Sequence, residues 1–133
     1  MSLIFLDTVG LLALWTRSDQ WHEVATRAYR EIVAARHAVT TTSFVILECG
    51  NAAARRAFRP EVDLLRTQLE ARNQLIVPTS ADWLEAWKAY QRGEAGDAGI
   101  VDHVSFVVMR RLGITDAFTN DRHFKAAGFN TLF

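Results

Sequence analysis

Four acidic residues end or interrupt apolar stretches at widely separated places in this sequence. Asp7 follows the apolar run LIFL, and Asp121 follows AFTN near the end of the chain. Glu48 stands inside FVILEC and Asp102 inside IVDHVSFVV. Isolated acids among apolar residues are costly unless their charge is compensated. No His or Cys stands at a ligand spacing, so the compensation that fits is a hard divalent cation, Mg²⁺ or Mn²⁺, bound by carboxylates.

Such a cation typically keeps water molecules and the phosphates of a substrate among its ligands. The chemistry that fits is therefore metal-assisted hydrolysis of a phosphodiester. Each acid also has a purely structural explanation, which the sequence leaves open. Asp7 and Asp121 can cap the helices that follow them, and Asp102 can complement a helix dipole. Glu48 can reach solvent or pair with Arg55.

The size of the chain predicts a single domain, because its 133 residues, half of them hydrophobic, suffice for one core. No apolar run reaches the roughly 18 residues of a membrane span, and the N-terminus lacks a charged leader. We therefore expect a cytoplasmic protein without a membrane partner. The only cysteine, Cys49, cannot form an internal disulfide, and we interpret it as a small buried hydrophobic residue.

The formal net charge is zero, from fifteen basic and fifteen acidic residues, so the whole molecule has no long-range attraction for nucleic acid. Any such binding depends on local basic clusters, which can also be no more than solvated helix faces. The candidates for nucleic-acid contact are Arg55, Arg56 and Arg59, Arg110 with Arg111, and Arg122, His123 and Lys125.

Short apolar runs alternate with longer helical patterns, which predicts an α/β fold. Strands are predicted at 3–6, 38–42, 75–78, 116–121 and 130–133, and helices at 21–35, 44–56, 60–72, from 80 past 90, at 100–112 and at 121–128. Trp83, Trp87 and Tyr90 recur at helical spacing and are predicted to lie in the core, in preference to a platform on which bases stack. Strands joined by helices form a parallel sheet, whose ligand sites lie beyond the carboxyl ends of the strands. Asp7 and Asp121 stand at two such ends.

Taken in order, the segments FLDTVGLLAL, ILECGNA, VDHVSFVVMRRLGI and FTNDRHF resemble the PIN domain, of the group that includes VapC-type ribonuclease toxins. The resemblance spans residues 1–133 and implies a Rossmann-like α/β/α sandwich with a mostly parallel central sheet. It also implies Mg²⁺ or Mn²⁺, cleavage of RNA, frequent homodimers and often a small antitoxin partner. The catalytic, metal-binding acids of the family fall here on Asp7, Glu48, Asp102 and Asp121.

The resemblance adds residues that support this quartet. Asn51 stands on the helical turn after Glu48, and Thr8 and Thr119 supply hydroxyl groups beside the acids. Asp97, in the Gly-rich loop RGEAGDAG, is an additional acid that can replace or assist Asp102. All four quartet positions are acidic, so the motif favours an active enzyme.

Three other interpretations share features with this sequence. A phosphatase of the haloacid dehalogenase type also begins with an aspartate after its first strand, but it needs a second acid two positions on, where this chain has Val9. A PIN-like module that binds RNA or a protein without cutting it remains open, and so does a housekeeping RNA-processing nuclease. The sequence contains no recognisable readout module, so it does not predict the RNA target.

Overall fold

The structure is a computed structural model that describes residues 2–133, and it contains a five-stranded sheet flanked by helices. The strands are β1 (Leu3–Leu6), β2 (Ala38–Thr42), β3 (Leu75–Ile76), β4 (Asp116–Phe118) and β5 (Asn130–Thr131). The helices are α1 (Thr8–Trp15), α2 (His22–Ala34), α3 (Ser43–Ala53), α4 (Arg59–Ala71), α5 (Ser80–Arg92), α6 (Ile100–Leu112) and α7 (Arg122–Ala126). The predicted α/β class is confirmed.

All strand pairs are parallel, and the strand order is β3-β2-β1-β4-β5. Parallel neighbours need crossover connections, and every connection here carries at least one helix. β1 is the central strand, and its last residue, Leu6, is in register with Phe118 at the end of β4. The carboxyl ends of β1 and β4 therefore meet at one edge of the sheet.

β1 is central because its residues are apolar without alternation, which suits a strand covered on both faces. Ile4, Phe5 and Leu6 are all buried. The buried polar residues of β2 find partners in neighbouring strands and loops: Thr41 donates from Oγ1 to the carbonyl of Leu6 at 2.6 Å. Such pairing removes the cost of burying a hydroxyl group in the sheet.

Helix α1 approaches β4 very closely through Gly10. A Cβ atom at this position would lie 2.1 Å from the carbonyl oxygen of Phe118, so only glycine fits. The contact brings the start of α1, and with it Asp7, against the end of β4. The sequence predicts no bounds for α1, because the segment is apolar almost throughout and shows no amphipathic period.

Several predicted boundaries shift by a few residues. α3 begins at Ser43 and not at 44, because Thr42 caps it: its Oγ1 accepts a hydrogen bond from the amide of Val45 at 3.2 Å. α3 ends at Ala53 and not near 56, and α2 begins at His22. β4 ends at Phe118, so residues 119–121 lie beyond the strand and face the carboxyl edge of the sheet.

The prediction that the aromatic residues of α5 lie in the core is wrong. Trp83, Trp87 and Tyr90 are 47%, 40% and 48% exposed, and they contact one another edge to face along the helix surface. Small residues, Ala86 and Ala89, occupy the buried face instead. Helical spacing alone shows which residues share a face of a helix, but not which face is buried. None of the helices in residues 2–133 is long and apolar enough to cross a membrane.

Candidate active site

The four predicted acids come from four different elements that meet at the carboxyl edge of the sheet. Asp7 follows β1 and is the N-cap of α1, and Asp121 follows β4 and is the N-cap of α7. Glu48 lies in the second turn of α3, and Asp102 in the first turn of α6. The helix caps expected for Asp7 and Asp121 are thus present, and both residues also face the other acids.

Asp7 is the most buried of the four, with 2% of its surface exposed. Its Oδ2 accepts hydrogen bonds from Thr119 Oγ1 at 2.8 Å and from the amide of Val9 at 3.4 Å. Burial, followed by the negative charge of Asp102, raises the pKa of Asp7 to about 7. The hydrogen bond from Thr119 lowers this pKa but does not offset the burial. A capping role alone therefore does not explain an acid in this position.

Asp102 shares the same electrostatic environment. Burial is again the largest cause that raises its pKa, to about 6, and the charges of Asp121 and Glu48 add to the effect. Each acid of the quartet is thus coupled electrostatically to at least one other. Without a cation, like charges at this spacing favour retention of a proton.

Thr119 explains why polar residues follow the last apolar strand. Its side chain is completely buried, and its Oγ1 both donates to Asp7 and accepts from the amide of Asp121 at 3.1 Å. One hydroxyl group therefore fixes the positions of two acids that lie more than a hundred residues apart in sequence.

Glu48 lies at the exposed rim of the site. Its Oε1 accepts a hydrogen bond of 2.6 Å from Thr8 Oγ1, so Thr8 holds this carboxylate in the way that Thr119 holds Asp7. Within residues 2–133, Glu48 forms no ion pair with Arg55, which was the alternative role for this acid. Asn51, one turn further along α3, is exposed and lines a groove of about 630 Å³ between α3 and α4, together with Arg59.

His123 belongs to the acidic cluster, so the prediction of a site without a histidine at ligand spacing is wrong. Its Nδ1 lies 2.8 Å from Asp121 Oδ1 and 3.9 Å from Asp102 Oδ2. One potential ligand atom from each of these three residues lies within 4.8 Å of the others. The signal in the sequence was the spacing Asp-x-His across the start of a helix, which places the two side chains side by side.

Asp97 lies on the outer side of His123. Its Oδ1 is 2.6 Å from His123 Nε2 and 3.5 Å from Nη2 of Arg122, and the side chain is 78% exposed. The hydrogen bond from His123 is the largest cause that lowers the pKa of Asp97 and raises that of His123. In the described structure, the contacts of Asp97 are with these two basic residues and not with Asp102.

Two pairs of predicted nucleic-acid contacts lie in different places relative to the acids. Arg122 and His123 are in the first turn of α7, directly after Asp121, and Arg122 is largely exposed. Arg55 and Arg56 are exposed in the turn after α3, beyond the end of the helix that carries Glu48. Only the first pair thus borders the acidic cluster.

The donors present fit a divalent cation. The carboxyl groups of Asp102 and Asp121 and the imidazole of His123 meet in a partly buried cluster. The charges of Asp102 and Asp121 also act on the buried Asp7, and the pKa values of Asp7 and Asp102 are raised. His123 Nδ1 is buried and has no hydrogen-bond partner among the described residues. A cation would neutralise the acids and give this nitrogen a partner. Asp7, Asp102 and Asp121 are the acids that could hold it.

Comparison with known proteins agrees with this geometry. Residues 4–130 match the profile of the PIN domain. The chain is 29% identical over 132 residues to the 23S rRNA-specific endonuclease VapC20 of Mycobacterium tuberculosis, with 96% of this chain and 95% of that protein covered.

Two solved structures are similar over the whole fold. The crystal structure of M. tuberculosis VapC20, described as a sarcin-ricin loop cleaving toxin, aligns with a TM-score of 0.76 at 29% identity and 95% coverage of both chains. FitAcB from Neisseria gonorrhoeae aligns with a TM-score of 0.63 at 15% identity, with 96% of this chain and 95% of that chain covered, and shows similarity of fold alone. Because the family match extends over nearly the whole described chain, this protein belongs to the PIN domain family.

Proposed function

We propose that this protein is a metal-dependent endoribonuclease that hydrolyses phosphodiester bonds in RNA and acts as the toxin of a toxin–antitoxin pair. The observation that carries the proposal is the position of Asp7, an almost fully buried acid that faces Asp102 and Asp121 at the carboxyl edge of the sheet. Similarity to a 23S rRNA-specific endonuclease over 95% of that protein's length supports the substrate class.

Some residues of the site would bind the cation, and others orient the residues that bind it. Asp7, Asp102 and Asp121 would hold Mg²⁺ or Mn²⁺, which supplies Lewis acidity and neutralises negative charge at the scissile phosphate when bound. Thr119 orients Asp7 and the backbone of Asp121 through one hydroxyl group. Preorganised groups of this kind need no rearrangement during the reaction, which is a large part of electrostatic catalysis.

Glu48 completes the site from the solvent side. The hydrogen bond from Thr8 fixes its carboxylate at the rim, where an RNA backbone would enter. A carboxylate in this position can accept a hydrogen bond or a proton from a water molecule beside the phosphate. Asn51 lies on the same helix at the mouth of the α3–α4 groove, where it can contact substrate.

Binding of RNA to a chain with no net charge depends on local cations. Arg122 is an exposed cation directly after Asp121, and we propose that it contacts a phosphate next to the cleaved bond. Arg55 and Arg56 would contact a more distant part of the RNA. We also propose a small antitoxin partner, a homodimer and a cytoplasmic location, all of which follow from family membership and not from the geometry.

A cleavage assay tests the proposal. The purified protein is incubated with an end-labelled RNA hairpin that carries the sarcin–ricin loop sequence, and with an unrelated hairpin of the same length. We expect cleavage in Mg²⁺ or Mn²⁺, no cleavage in EDTA, and none by Asp7→Asn purified in parallel. Cutting of both hairpins equally would favour a general RNA-processing nuclease. Equal cutting by the Asp7→Asn protein would reveal a contaminant, and binding without any cutting would favour a non-cleaving PIN module.

A further inference from the structure

We propose that His123 is a direct ligand of the divalent cation through Nδ1, next to Asp102 and Asp121, and that Asp97 is the positioning residue that holds the imidazole from its opposite side. The inference rests on the proposed metal-dependent function and deepens it. It changes the expected ligand set from carboxylates alone to carboxylates with one nitrogen.

The first support is the unpaired state of Nδ1. This atom is buried and lies 2.8 Å from Asp121 Oδ1, yet the direction of the contact does not satisfy hydrogen-bond geometry. A buried polar atom without a partner is costly, and in native structures it usually marks an unmodelled water or ion, or a functional role. A cation shared by the nitrogen and the neighbouring carboxylates would supply the partner.

The second support is the spacing of the three donors. Two ligands each about 2.1 Å from an octahedral ion are roughly 3.0 Å apart when adjacent and about 4.2 Å apart when opposite. The separations from His123 Nδ1 are 2.8 Å to Asp121 Oδ1 and 3.9 Å to Asp102 Oδ2. Both fall close to this range, so only small side-chain movements would bring the three atoms around one ion.

The third support is the contact on the other ring nitrogen. His123 Nε2 lies 2.6 Å from Asp97 Oδ1. Metal-bound histidines almost always donate their second N–H to a carboxylate, carbonyl or water, which fixes the tautomer and raises the basicity of the ligand. With its proton on Nε2, the ring presents the lone pair of Nδ1 to the acidic cluster.

The backbone also fixes the ring in place. The amide of His123 donates to Asp121 Oδ1 at 2.9 Å, because Asp121 caps the helix that His123 begins. One of the two carboxylates thus holds the backbone that carries the imidazole. This arrangement explains how an Asp-x-His spacing at a helix start yields two ligands of one ion.

A nitrogen donor has a consequence for metal choice. Oxygen-only sites suit Mg²⁺, whereas an imidazole favours transition metals over Mg²⁺. We therefore expect the protein to bind Mn²⁺ at least tenfold more tightly than Mg²⁺. Substitution of His123 should reduce this ratio, because the remaining ligands are carboxylates.

The test is electron spin-echo spectroscopy of the Mn²⁺-loaded protein without RNA, which detects ¹⁴N nuclei bound to the ion. We expect histidine nitrogen coupling in the wild type, and loss of that coupling in His123→Gln with a Kd for Mn²⁺ at least tenfold higher. His37→Gln is the matched control, because His37 accepts a hydrogen bond from the amide of Ser2 on another part of the surface. It should keep both the coupling and the affinity.

Asp97→Asn separates a positioning role from direct binding. It should keep the nitrogen coupling but raise the Kd for Mn²⁺ roughly tenfold, because partners of the ligands tune affinity by 10–100-fold. Absence of nitrogen coupling in the wild type overturns the inference. This measurement uses only the wild-type protein, so it does not depend on whether a variant folds. Persistence of the coupling in a folded His123→Gln protein also overturns it.

The result is independent of the cleavage assay. Metal-dependent cleavage without nitrogen coupling would leave the proposed function standing and remove His123 from the ligands. Nitrogen coupling without any cleavage of RNA would support the mixed ligand set and refute the nuclease.

Discussion

Thr119 Oγ1 donates a 2.8 Å hydrogen bond to Asp7 Oδ2 and so joins the end of β4 to the end of β1. Both side chains are buried, so water cannot replace the bond if it is lost. The same hydroxyl group accepts from the amide of Asp121. The pair is therefore the structural link between the two acids that follow the central strands.

Thr119→Val should destabilise the fold and reduce RNA cleavage, because it leaves a buried carboxylate without its strongest partner. A hydrogen bond to a charged group contributes about 1.5–3 kcal/mol to the free energy of unfolding. We expect a loss of this size in urea denaturation at pH 8, where Asp7 is largely ionised. Thr119→Ser keeps the hydroxyl group and serves as control. Equal stability of the valine variant and the wild type would show that the bond contributes nothing.

The metal-free protein should become less stable between pH 4 and pH 7 because of Asp7. Its pKa is raised from 3.8 to about 7 in the fold, so in this window the folded state holds a proton that the unfolded state has released. The contribution of Asp7 to stability is therefore fully present below its pKa in the unfolded chain, and it is lost as pH rises through its pKa in the folded protein.

The comparison that isolates this effect is wild type against Asp7→Asn in EDTA. As pH rises, the wild type should lose up to about 4 kcal/mol of unfolding free energy relative to Asp7→Asn. This value follows from about 1.4 kcal/mol for each unit by which the pKa is raised. Urea denaturation at pH 4, 6 and 8 measures it. A difference that stays constant with pH would mean that Asp7 titrates normally.

Asp102→Asn should melt at a higher temperature than the wild type in EDTA at pH 8. Burial and the charges of Asp121 and Glu48 disfavour ionised Asp102, and the substitution removes that charge. The wild type should gain more from Mn²⁺, since a ligand that binds only the folded state stabilises it. If Asp102 only complements its helix dipole, the variant should melt lower in EDTA and keep the full Mn²⁺ increment.

Gly10→Ala should unfold or strongly destabilise the protein, because the new methyl group would lie 2.1 Å from the carbonyl oxygen of Phe118. Overpacking of this kind typically costs about 1–3 kcal/mol and occasionally more. Gly50→Ala is the matched control, since a Cβ atom there meets nothing within 4 Å in the exposed face of α3. It should leave stability unchanged or raise it by about 1 kcal/mol. Thermal melts that show similar effects at the two positions would contradict the close contact.

Reversal of Arg55 and Arg56 to Glu should weaken RNA binding and flatten its salt dependence, because fewer counterions are released. The double reversal of Arg27 and Arg30, which are exposed on α2, makes the same change in net charge and is the control. Filter binding at several salt concentrations gives both slopes. If the two double variants behave alike, Arg55 and Arg56 are only part of a solvated surface.

Local features of the sequence were enough to predict most of the elements and the place of the acids. An apolar run that ends on Asp7 predicts a buried strand followed by a capped helix, because strand burial and capping involve residues that are near in sequence. The same holds for Asp121. Resemblance to a family then placed Glu48 and Asp102 with them. These expectations needed no knowledge of which strands are neighbours.

Contacts between distant residues were decided only by tertiary structure. The bond between Thr119 and Asp7 requires the strand order that places β4 beside β1, and no local pattern encodes this order. The sequence offered His123 only as a candidate for nucleic-acid contact, because the direction of its ring depends on Asp97, twenty-six residues earlier.

The exposure of Trp83 and Trp87 has a similar origin. Their spacing determines that they share one face of α5, but the packing of that helix against α6 through Ala86 decides that this face meets solvent. Periodicity is a property of one helix, whereas burial is a property of the pair of surfaces that come together. The sequence by itself therefore determined the elements and their chemistry, and only the tertiary structure decided which side chains meet.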